Sequence, residues 1–336
     1  MKKLITGLLA GLLLVGCGTA TSTQAPEVTQ ENVEEVVQQI DDQTQDLLAQ
    51  AQAQAEAFDI KILSPNGAPT LAVLPAAVGG KVDFVDGADA LQAAFVNPDG
   101  DYDLIVAPSN LGLKLASAGK TAYKMLGVVT WGNLYIVAKA GTDKDPSTWE
   151  NVAAFGEQSV TGIVFNTVYG DKIDSSKITW YNSTAEASAA LIEGKADVAM
   201  LAEPNATATI AKAKENGLEL EIIDDVQSAY GEGGFPQAAL FVKEDSYANK
   251  KETIDAVFTM MNAFSSLETP LTADQLQGMI DAAGGAEAMG VPAAQMIEKV
   301  WPRLNINVVK ASEHKADLEK FAGLFGIEDI SAALAE

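Results

Sequence analysis

Residues 64–69 have the types and the spacing to bind a small molecule at the start of a helix. They follow residues 58–63, where apolar and polar side chains alternate as in a short strand. Two prolines, an asparagine and a glycine predict a turn, and Pro69 suits the first turn of a helix. The free N–H groups and the dipole of that helix start would form a small polar cup. The candidate ligand contacts are Ser64, Asn66, Gly67 and Ala68, although a plain strand-to-helix turn would use the same residues.

Two later segments repeat this arrangement of strand, turn and helix. Residues 103–107 lead to Ser109 and Asn110, and residues 197–201 lead to Glu203. Glu203 can accept hydrogen bonds from N–H groups of a ligand, and its alternative role is a contact between two parts of the fold. Ligands of open α/β sheets bind beyond the carboxyl ends of the strands. We therefore expect the three polar cups to face one binding site.

Aromatic and amide side chains elsewhere are further candidates. Trp131 offers a flat face to a planar ligand, or packs in the core of a hinge. Beside it, Gly132 allows a close approach of the backbone and Asn133 carries an amide. Asn166 and Thr167 follow a stretch of strand character that ends at residue 165, and they would either line the site or cap a surface loop.

The sequence offers little for catalysis. Cys17 is the only cysteine, and the only histidine, His314, lies in the last predicted helix, far along the chain from every polar cup. The sequence contains no recognisable nucleophile–base pair, metal-ligand cluster or phosphate-binding glycine loop. We predict a protein that is not an enzyme and that has no catalytic residue, cofactor or metal.

The distribution of charge bears on the ligand and on the partners. Arg303 is the only arginine and lies outside all three cups, so a guanidinium clamp for a sulfonate, phosphate or carboxylate is hard to build. Helix N-termini can hold anions without arginine, so anions are disfavoured but not excluded. Trp131 with Glu203 suits a neutral or weakly basic planar ring that carries N–H donors, such as a pyrimidine. The net charge of −24 excludes a nucleic-acid partner and electrostatic attachment to an anionic membrane.

The N-terminus has the pattern of an export signal. Lys2 and Lys3 precede an apolar run over residues 4–15, and the run ends at Gly16-Cys17. This ending resembles the lipobox of bacterial lipoproteins, which implies a signal peptide at 1–16, cleavage before Cys17, and lipid such as palmitate on Cys17. The alternatives are an ordinary signal peptide and a short anchor with an incidental cysteine. Residues 17–57 would be a tether, either a helical stalk or weak coiled coil, or a disordered spacer.

The repeated order of strand, turn and helix predicts an α/β protein with parallel sheets. Four stretches, in this order and spacing, resemble the type 2 periplasmic-binding-protein fold, and more narrowly the substrate-binding lipoproteins of ABC transporters for nitrate, sulfonate, taurine and thiamine precursors. They are Ser64–Pro69, Tyr102–Pro108, Gly194–Asp197 and Ala202–Pro204. The resemblance implies two lobes, each a mostly parallel sheet flanked by helices, joined by two crossing segments. The first lobe would comprise 58–138 and 228–336, and the second 139–227.

The same resemblance implies a function. The chain would be a lipid-anchored monomer on the outer face of the cell membrane, capturing a small organic solute between its lobes and delivering it to an ABC permease. An enzyme of the same fold is one alternative, since this fold group includes a pyrimidine synthase; that family relies on a cysteine-rich motif and a histidine. A sensor or adhesin that does not take part in transport is another.

Overall fold

The strands of the protein form two separate sheets in a computed structural model that describes residues 55–267 and 271–335. The six-stranded sheet contains β1 (Ile62–Pro65), β2 (Val82–Val85), β3 (Leu104–Pro108), β4 (Tyr123–Thr130), β10 (Ala238–Lys243) and β11 (Ile306–Lys310). The five-stranded sheet contains β5 (Leu134–Lys139), β6 (Val152–Phe155), β7 (Ile178–Tyr181), β8 (Val198–Ala202) and β9 (Leu220–Asp225). The predicted signal peptide, lipidation site and tether, 1–57, lie outside the described residues apart from 55–57.

Both sheets are mixed in direction. The strand order is β11-β4-β10-β3-β1-β2 in one sheet and β7-β6-β8-β5-β9 in the other. Strand β1 runs parallel to β2 and β3, and β6 runs parallel to β7 and β8. Strands β10 and β5 run antiparallel to both of their neighbours. The expectation of mostly parallel sheets is confirmed, because β1 to β4 point one way in the first sheet and β6 to β9 point one way in the second. Strands β5, β10 and β11 run against them.

Helices cover the sheets. Those that precede strand β8 are α1 (Ala68–Ala72), α2 (Leu74–Ala77), α3 (Ala88–Val96), α4 (Ser109–Ser117), α5 (Val160–Tyr169) and α6 (Thr184–Ile192). The later ones are α7 (Asn205–Glu215), α8 (Val226–Tyr230), α9 (Glu244–Ser265), α10 (Ala273–Ala282), α11 (Ala286–Met289), α12 (Ala294–Val300) and α13 (Lys315–Gly323). In the part of the chain that the structure describes, no helix is long and apolar enough to cross a membrane.

Each sheet has an apolar core on both faces. In β3, Leu104 and Val106 pack on one face of the first sheet, while Ile105 and Ala107 pack on the other. Strand β8 divides its residues in the same way between the two faces of the second sheet. A strand with both faces covered must be apolar at every position, which explains the continuous apolar runs in the sequence.

The chain crosses between the sheets at residues 131–133 and again at 231–237. Strand β5 pairs within the five-stranded sheet, so residues 134–138, which we had placed in the first lobe, lie in the second sheet. The other lobe boundaries stay predictions. The prediction of strand character up to residue 165 is wrong, because residues 160–169 form helix α5 and the strand β6 ends at Phe155.

Gly112 lets helix α4 pack closely against Phe241 of the first sheet. A Cβ atom at this position of α4 would lie 2.1 Å from Cζ of Phe241. Phe241 is fully buried in the core and has no space into which to move. We expect Gly112→Ala to lower the free energy of unfolding by about 1–3 kcal/mol, as overpacking does. Urea denaturation measures this value.

Gly323→Ala is the matched control. Gly323 lies at the end of α13, and an added Cβ atom would have nothing within 4 Å. We expect this variant to be as stable as the parent or more stable by up to about 1 kcal/mol. Equal effects of the two substitutions would refute the packing argument.

We predict that the buried Tyr123 makes the stability of the protein depend on pH. Its side chain is buried, and its hydroxyl donates to the carbonyl oxygen of Tyr102 at 2.6 Å. Burial raises the pKa of Tyr123 to about 12, whereas the pKa of a tyrosine in an unfolded chain is about 10. Between these pH values the unfolded state loses a proton that the folded state keeps. The free energy of unfolding should therefore fall by about 2 kcal/mol from pH 10 to pH 12.

Tyr123→Phe isolates this contribution from those of other titrating groups. Its denaturation midpoint in urea should fall less steeply with pH above 10 than that of the parent. Parallel pH profiles of the two proteins would show that Tyr123 does not carry the effect.

Candidate ligand-binding cleft

A cavity of about 520 Å³ lies between the strand ends of the two sheets. This volume suits a small organic molecule. The residues that line the cavity come from both sheets and from the second crossing segment, and they are Pro65, Asn66, Pro69, Gly87, Leu91, Pro108, Asn110, Leu111, Ser159, Val160, Thr161, Gln237 and Ala238.

Strand register brings the first wall of the cleft together. Strands β1 and β3 are parallel neighbours, with Leu63 paired to Ile105, so their carboxyl ends lie side by side. Asn66 and Asn110 follow those ends. Strand β10 enters in the opposite direction, with Ala238 paired to Pro108. This antiparallel pairing brings Gln237 to the same wall, and the Ser109 N–H donates to its carbonyl oxygen at 3.1 Å.

The second wall is the turn between β6 and helix α5. The Ser159 hydroxyl donates to the carbonyl oxygen of Gly156 at 2.7 Å, and the Thr161 hydroxyl donates to that of Phe155 at 3.1 Å. Gly156 has φ of 67°, and a Cβ atom there would lie 2.3 Å from Oγ of Ser159. These contacts make the turn compact and direct the first turn of α5 at the cavity. Sequence reasoning missed Ser159, Thr161 and Gln237. Gly156 followed by a serine three residues later was the pattern that could have indicated the turn carrying Ser159 and Thr161.

The lining carries no charged side chain. Prolines, leucines, a valine and an alanine supply most of it, and the polar groups are amides and hydroxyls. An ion placed in this cavity would lose hydration without gaining an opposite charge, which is costly. The lining therefore favours an uncharged solute that offers hydrogen bonds at a few points.

Unpartnered polar groups mark the cleft and the crossings. Within the residues that the structure describes, seven buried side-chain polar atoms lack a hydrogen-bond partner. Three belong to the first wall: Oδ1 of Asn66, Oγ of Ser109 and Oδ1 of Asn110. The others lie next to the crossing segments and belong to Thr130, Asn133, Gln227 and Tyr230. Buried polar atoms are normally paired, so these unpartnered atoms leave the first wall short of hydrogen bonds in the ligand-free protein.

Three residues of the first polar cup make their contacts within the protein. Ser64 is fully buried in β1, with its hydroxyl on the carbonyl oxygen of Pro65. The N–H of Gly67 donates to the carbonyl oxygen of Met289 at 2.9 Å, and Ala68 packs against the core of the first sheet. Of the four residues predicted in this cup, the cavity lining contains Asn66.

Trp131 packs in the core and does not line the cavity. Its side chain is 6% exposed, its indole N–H donates to the carbonyl oxygen of Asn307 at 3.0 Å, and its ring lies 4.9 Å from that of His314. Gly132 and Asn133 are also engaged in the crossing segment: Asn305 donates to the carbonyl oxygen of Gly132, and the amide of Asn133 donates to that of Glu203. The stacking role expected for Trp131 is corrected to hinge packing, since tertiary contacts decide which way the ring points.

Glu203 makes the alternative contact that the sequence allowed. Its side chain is fully buried, and one carboxylate oxygen lies 2.6 Å from Nε of Arg303. Thr207, in the first turn of α7, donates both its N–H and its hydroxyl to the same carboxylate. The expectation that Glu203 accepts from a ligand is therefore replaced by a contact with Arg303. Burial, with Asp225 and Glu203 adding to it, raises the pKa of Tyr135 far above its usual range, and the protonated phenol donates to the carbonyl oxygen of Arg303.

Asn166 and Thr167 lie on the exposed side of helix α5 and away from the cavity. The Thr167 hydroxyl donates to the carbonyl oxygen of Ile163, one turn earlier in the helix. Their proposed place in the cleft depended on a strand that ends at residue 165. Because the segment is helical, the start of α5 faces the cavity, and these two residues lie in its second half.

Comparisons with known proteins agree with this architecture. No family model matches the chain, and no curated protein sequence matches it. An ABC transporter structure from Parabacteroides distasonis is similar with a TM-score of 0.63 at 20% identity, covering 82% of this chain and 96% of the other. A periplasmic aliphatic sulphonate-binding protein has a similar structure as well. This chain has the periplasmic-binding-protein fold. The fold class expected from the sequence motifs is thus confirmed.

Two further structures share the periplasmic-binding-protein fold. The periplasmic aliphatic sulphonate-binding protein of Escherichia coli has a TM-score of 0.59 at 17% identity, covering 82% of this chain and 92% of the other. The alkanesulfonate-binding protein of Xanthomonas axonopodis pv. citri, bound to MOPS, has a TM-score of 0.53 at 18% identity, covering 82% and 95%. At identities this low the similarity shows the backbone fold alone. The ligand of this chain must be inferred from the residues of its own cleft.

The orphaned amide of Asn110 should lower the stability of the ligand-free protein. Asn110→Leu removes a buried acceptor that has no partner, so we expect the free energy of unfolding to stay the same or to rise. The control is Asn262→Leu, which removes the donor to the carbonyl oxygen of Val308 and should cost about 1–2 kcal/mol. Urea denaturation without ligand measures both. Equal losses in the two variants would contradict the assignment of Asn110 as unpartnered.

Proposed function

We propose that this protein is an extracytoplasmic solute-binding protein that captures a small organic molecule in the cleft and delivers it to an ABC importer. The observation that carries the proposal is the shared cavity between the strand ends of two sheets, with unpartnered polar atoms in one wall. A solute that reaches both walls would supply the missing hydrogen bonds and hold the lobes together. Closure of two lobes around a ligand is a common way for such a molecule to signal occupancy to a partner.

The proposed solute is uncharged and has both N–H donors and carbonyl acceptors. Asn66 and Asn110 offer unpartnered amide oxygens in the first wall, and Gln237 adds a third amide to the lining. In the second wall the first turn of α5 has N–H groups that suit a carbonyl oxygen. A pyrimidine-like ring, or another planar cyclic amide, combines these groups. Support for a planar nitrogenous ligand now comes from these amides instead of Trp131 and Glu203.

Attachment to the cell membrane is part of the proposal and is supported by the sequence. The pattern of residues 1–17 suggests lipid on Cys17, and 17–57 would tether the folded part outside the cell. The permease partner and the monomeric state are likewise proposed from the sequence.

An enzyme of this fold would need an acid, a base or a nucleophile beside the solute. The cavity lining offers the hydroxyls of Ser159 and Thr161 with no titratable side chain next to them in that lining.

A ligand screen tests the function and the solute class together. The full-length chain with Cys17→Ser, which cannot be lipidated, is heated with pyrimidines, other cyclic amides, and alkanesulfonates. A true solute at about 100 times its dissociation constant adds about 2.7 kcal/mol of stability. We expect a member of the uncharged classes to raise the melting temperature, and calorimetry then gives its dissociation constant.

Asn66→Ala and Asn110→Ala should each weaken that binding about tenfold, since each removes one hydrogen bond to the solute. The control Asn249→Ala changes an exposed asparagine of α9 and should leave the affinity unchanged. Tight binding of a sulfonate with no response to uncharged solutes would overturn the solute class. Chemical conversion of a bound solute would favour the enzyme.

A further inference from the structure

We propose that Arg303 is a positioning residue that holds the two lobes in the arrangement forming the cleft, and thereby sets the affinity for the solute without touching it. The part that concerns affinity rests on the proposed solute-binding function, whereas the part that concerns the lobes does not. Neither Arg303 nor its partner Glu203 lines the cavity. The proposal gives a role to the only arginine of the chain.

Arg303 belongs to the body of the first sheet. It ends a short 3₁₀ helix, Trp301–Arg303, that follows α12 and precedes β11. The ring of Trp301 packs edge-on against Phe264 at 5.6 Å, and Leu304 is buried in the core of the first sheet. The backbone that carries the guanidinium therefore moves with the first lobe.

The partners of Arg303 belong to the second sheet. Its Nε donates to Glu203 Oε1 at 2.6 Å, and its Nη2 donates to the Thr207 hydroxyl at 2.8 Å. Glu203 follows strand β8, and Thr207 is in the first turn of α7. A planar guanidinium that reaches two acceptors at once fixes direction as well as distance. The contact thus joins the segment that follows β8 in the second lobe to the segment that precedes β11 in the first lobe.

Each side chain of this ion pair has another favourable environment when the pair breaks. The carboxylate of Glu203 keeps the N–H and the hydroxyl of Thr207, and it lies at the N-terminus of α7, where the helix dipole stabilises a negative charge. The Arg303 side chain is 36% exposed, so water can solvate it after withdrawal. An ion pair buried on both sides would leave an uncompensated charge when broken. This pair can open and close reversibly, as a contact between moving lobes must.

The effect of losing Arg303 should be partial because other contacts also span the lobes. Phe321 of α13 stacks on Phe235 with ring centroids 6.3 Å apart, and Tyr135 donates to the carbonyl oxygen of Arg303. A partly exposed ion pair contributes modestly to the free-energy difference between two lobe arrangements. If the lobe arrangement that binds solute is less populated, the apparent dissociation constant rises by the same factor. We expect a factor of about five.

Distances between spin labels test the lobe arrangement without a solute. The labels are attached to Asp89→Cys and Gln158→Cys, two exposed positions beside opposite walls of the cleft, in the full-length chain with Cys17→Ser. We expect Arg303→Gln to shift or broaden the distance distribution, and Arg303→Lys, which keeps the charge, to lie between it and the parent. The control Lys310→Gln removes one positive charge from an exposed position of the neighbouring strand β11 and should leave the distribution unchanged.

A distribution that is identical in the parent and in Arg303→Gln would overturn the proposal. If Arg303→Gln does not fold, Thr207→Val removes the hydroxyl that bridges the pair and takes its place in the same measurement. For a solute found in the ligand screen, calorimetry should show about fivefold weaker binding to Arg303→Gln than to Lys310→Gln. A chain that binds no solute in the screen would refute the proposed function, and the label distances would still decide the role of Arg303.

Discussion

The cleft depends on a break of three residues in one apolar run. Residues 125–138 form one long β-rich run in the sequence, yet the backbone turns at Gly132, where φ is 91° and a Cβ atom would lie 2.6 Å from the ring of Phe235. Strand β4 therefore stays in the first sheet, and β5 begins the second. The cavity lies between the ends of other strands of the two sheets, so its position follows from where the chain passes from one sheet to the other. Trp131 and Asn133 fix the break through contacts of their own, which makes them unavailable to a ligand.

The contrast among the strand-end turns shows what makes such a turn a binding site. Each turn presents polar groups at a helix start, but some of these groups already bond to other parts of the protein. Met289 takes the N–H of Gly67, and Arg303 with Thr207 takes the carboxylate of Glu203. The amide oxygens of Asn66 and Asn110 remain unpartnered although they are buried. A buried acceptor without a partner destabilises the empty protein, so a ligand that pairs with it gains more than it would at a solvated surface.

The sequence predicted the parts of the fold that depend on local pattern. The order of strand, turn and helix is found as predicted, and the turn at 64–69 leads into helix α1 with Pro69 in its first turn. It misread the start of α5, because β-branched residues such as Val160 and Thr161 favour a strand locally and only burial on helical spacing makes the segment a helix. It also left the partner of Glu203 open, since Arg303 is 100 residues away in the chain. Whether a polar side chain faces a ligand or another part of the protein is settled by long-range contacts of this kind.

The same contact bears on the charge of the solute. The structures that bind sulfonates share the backbone fold at 17–18% identity, which does not carry over the side chains of the cleft. Here the only guanidinium is paired with Glu203, and the cavity lining has no charged side chain. A sulfonate would have to rely on helix starts, each equivalent to about 0.5 of a positive charge. That partial charge must offset the removal of a full anion from water, which costs several kcal/mol. An uncharged amide loses far less hydration and finds in Asn66, Asn110 and Gln237 the groups that replace it, so the physical balance favours the neutral solute.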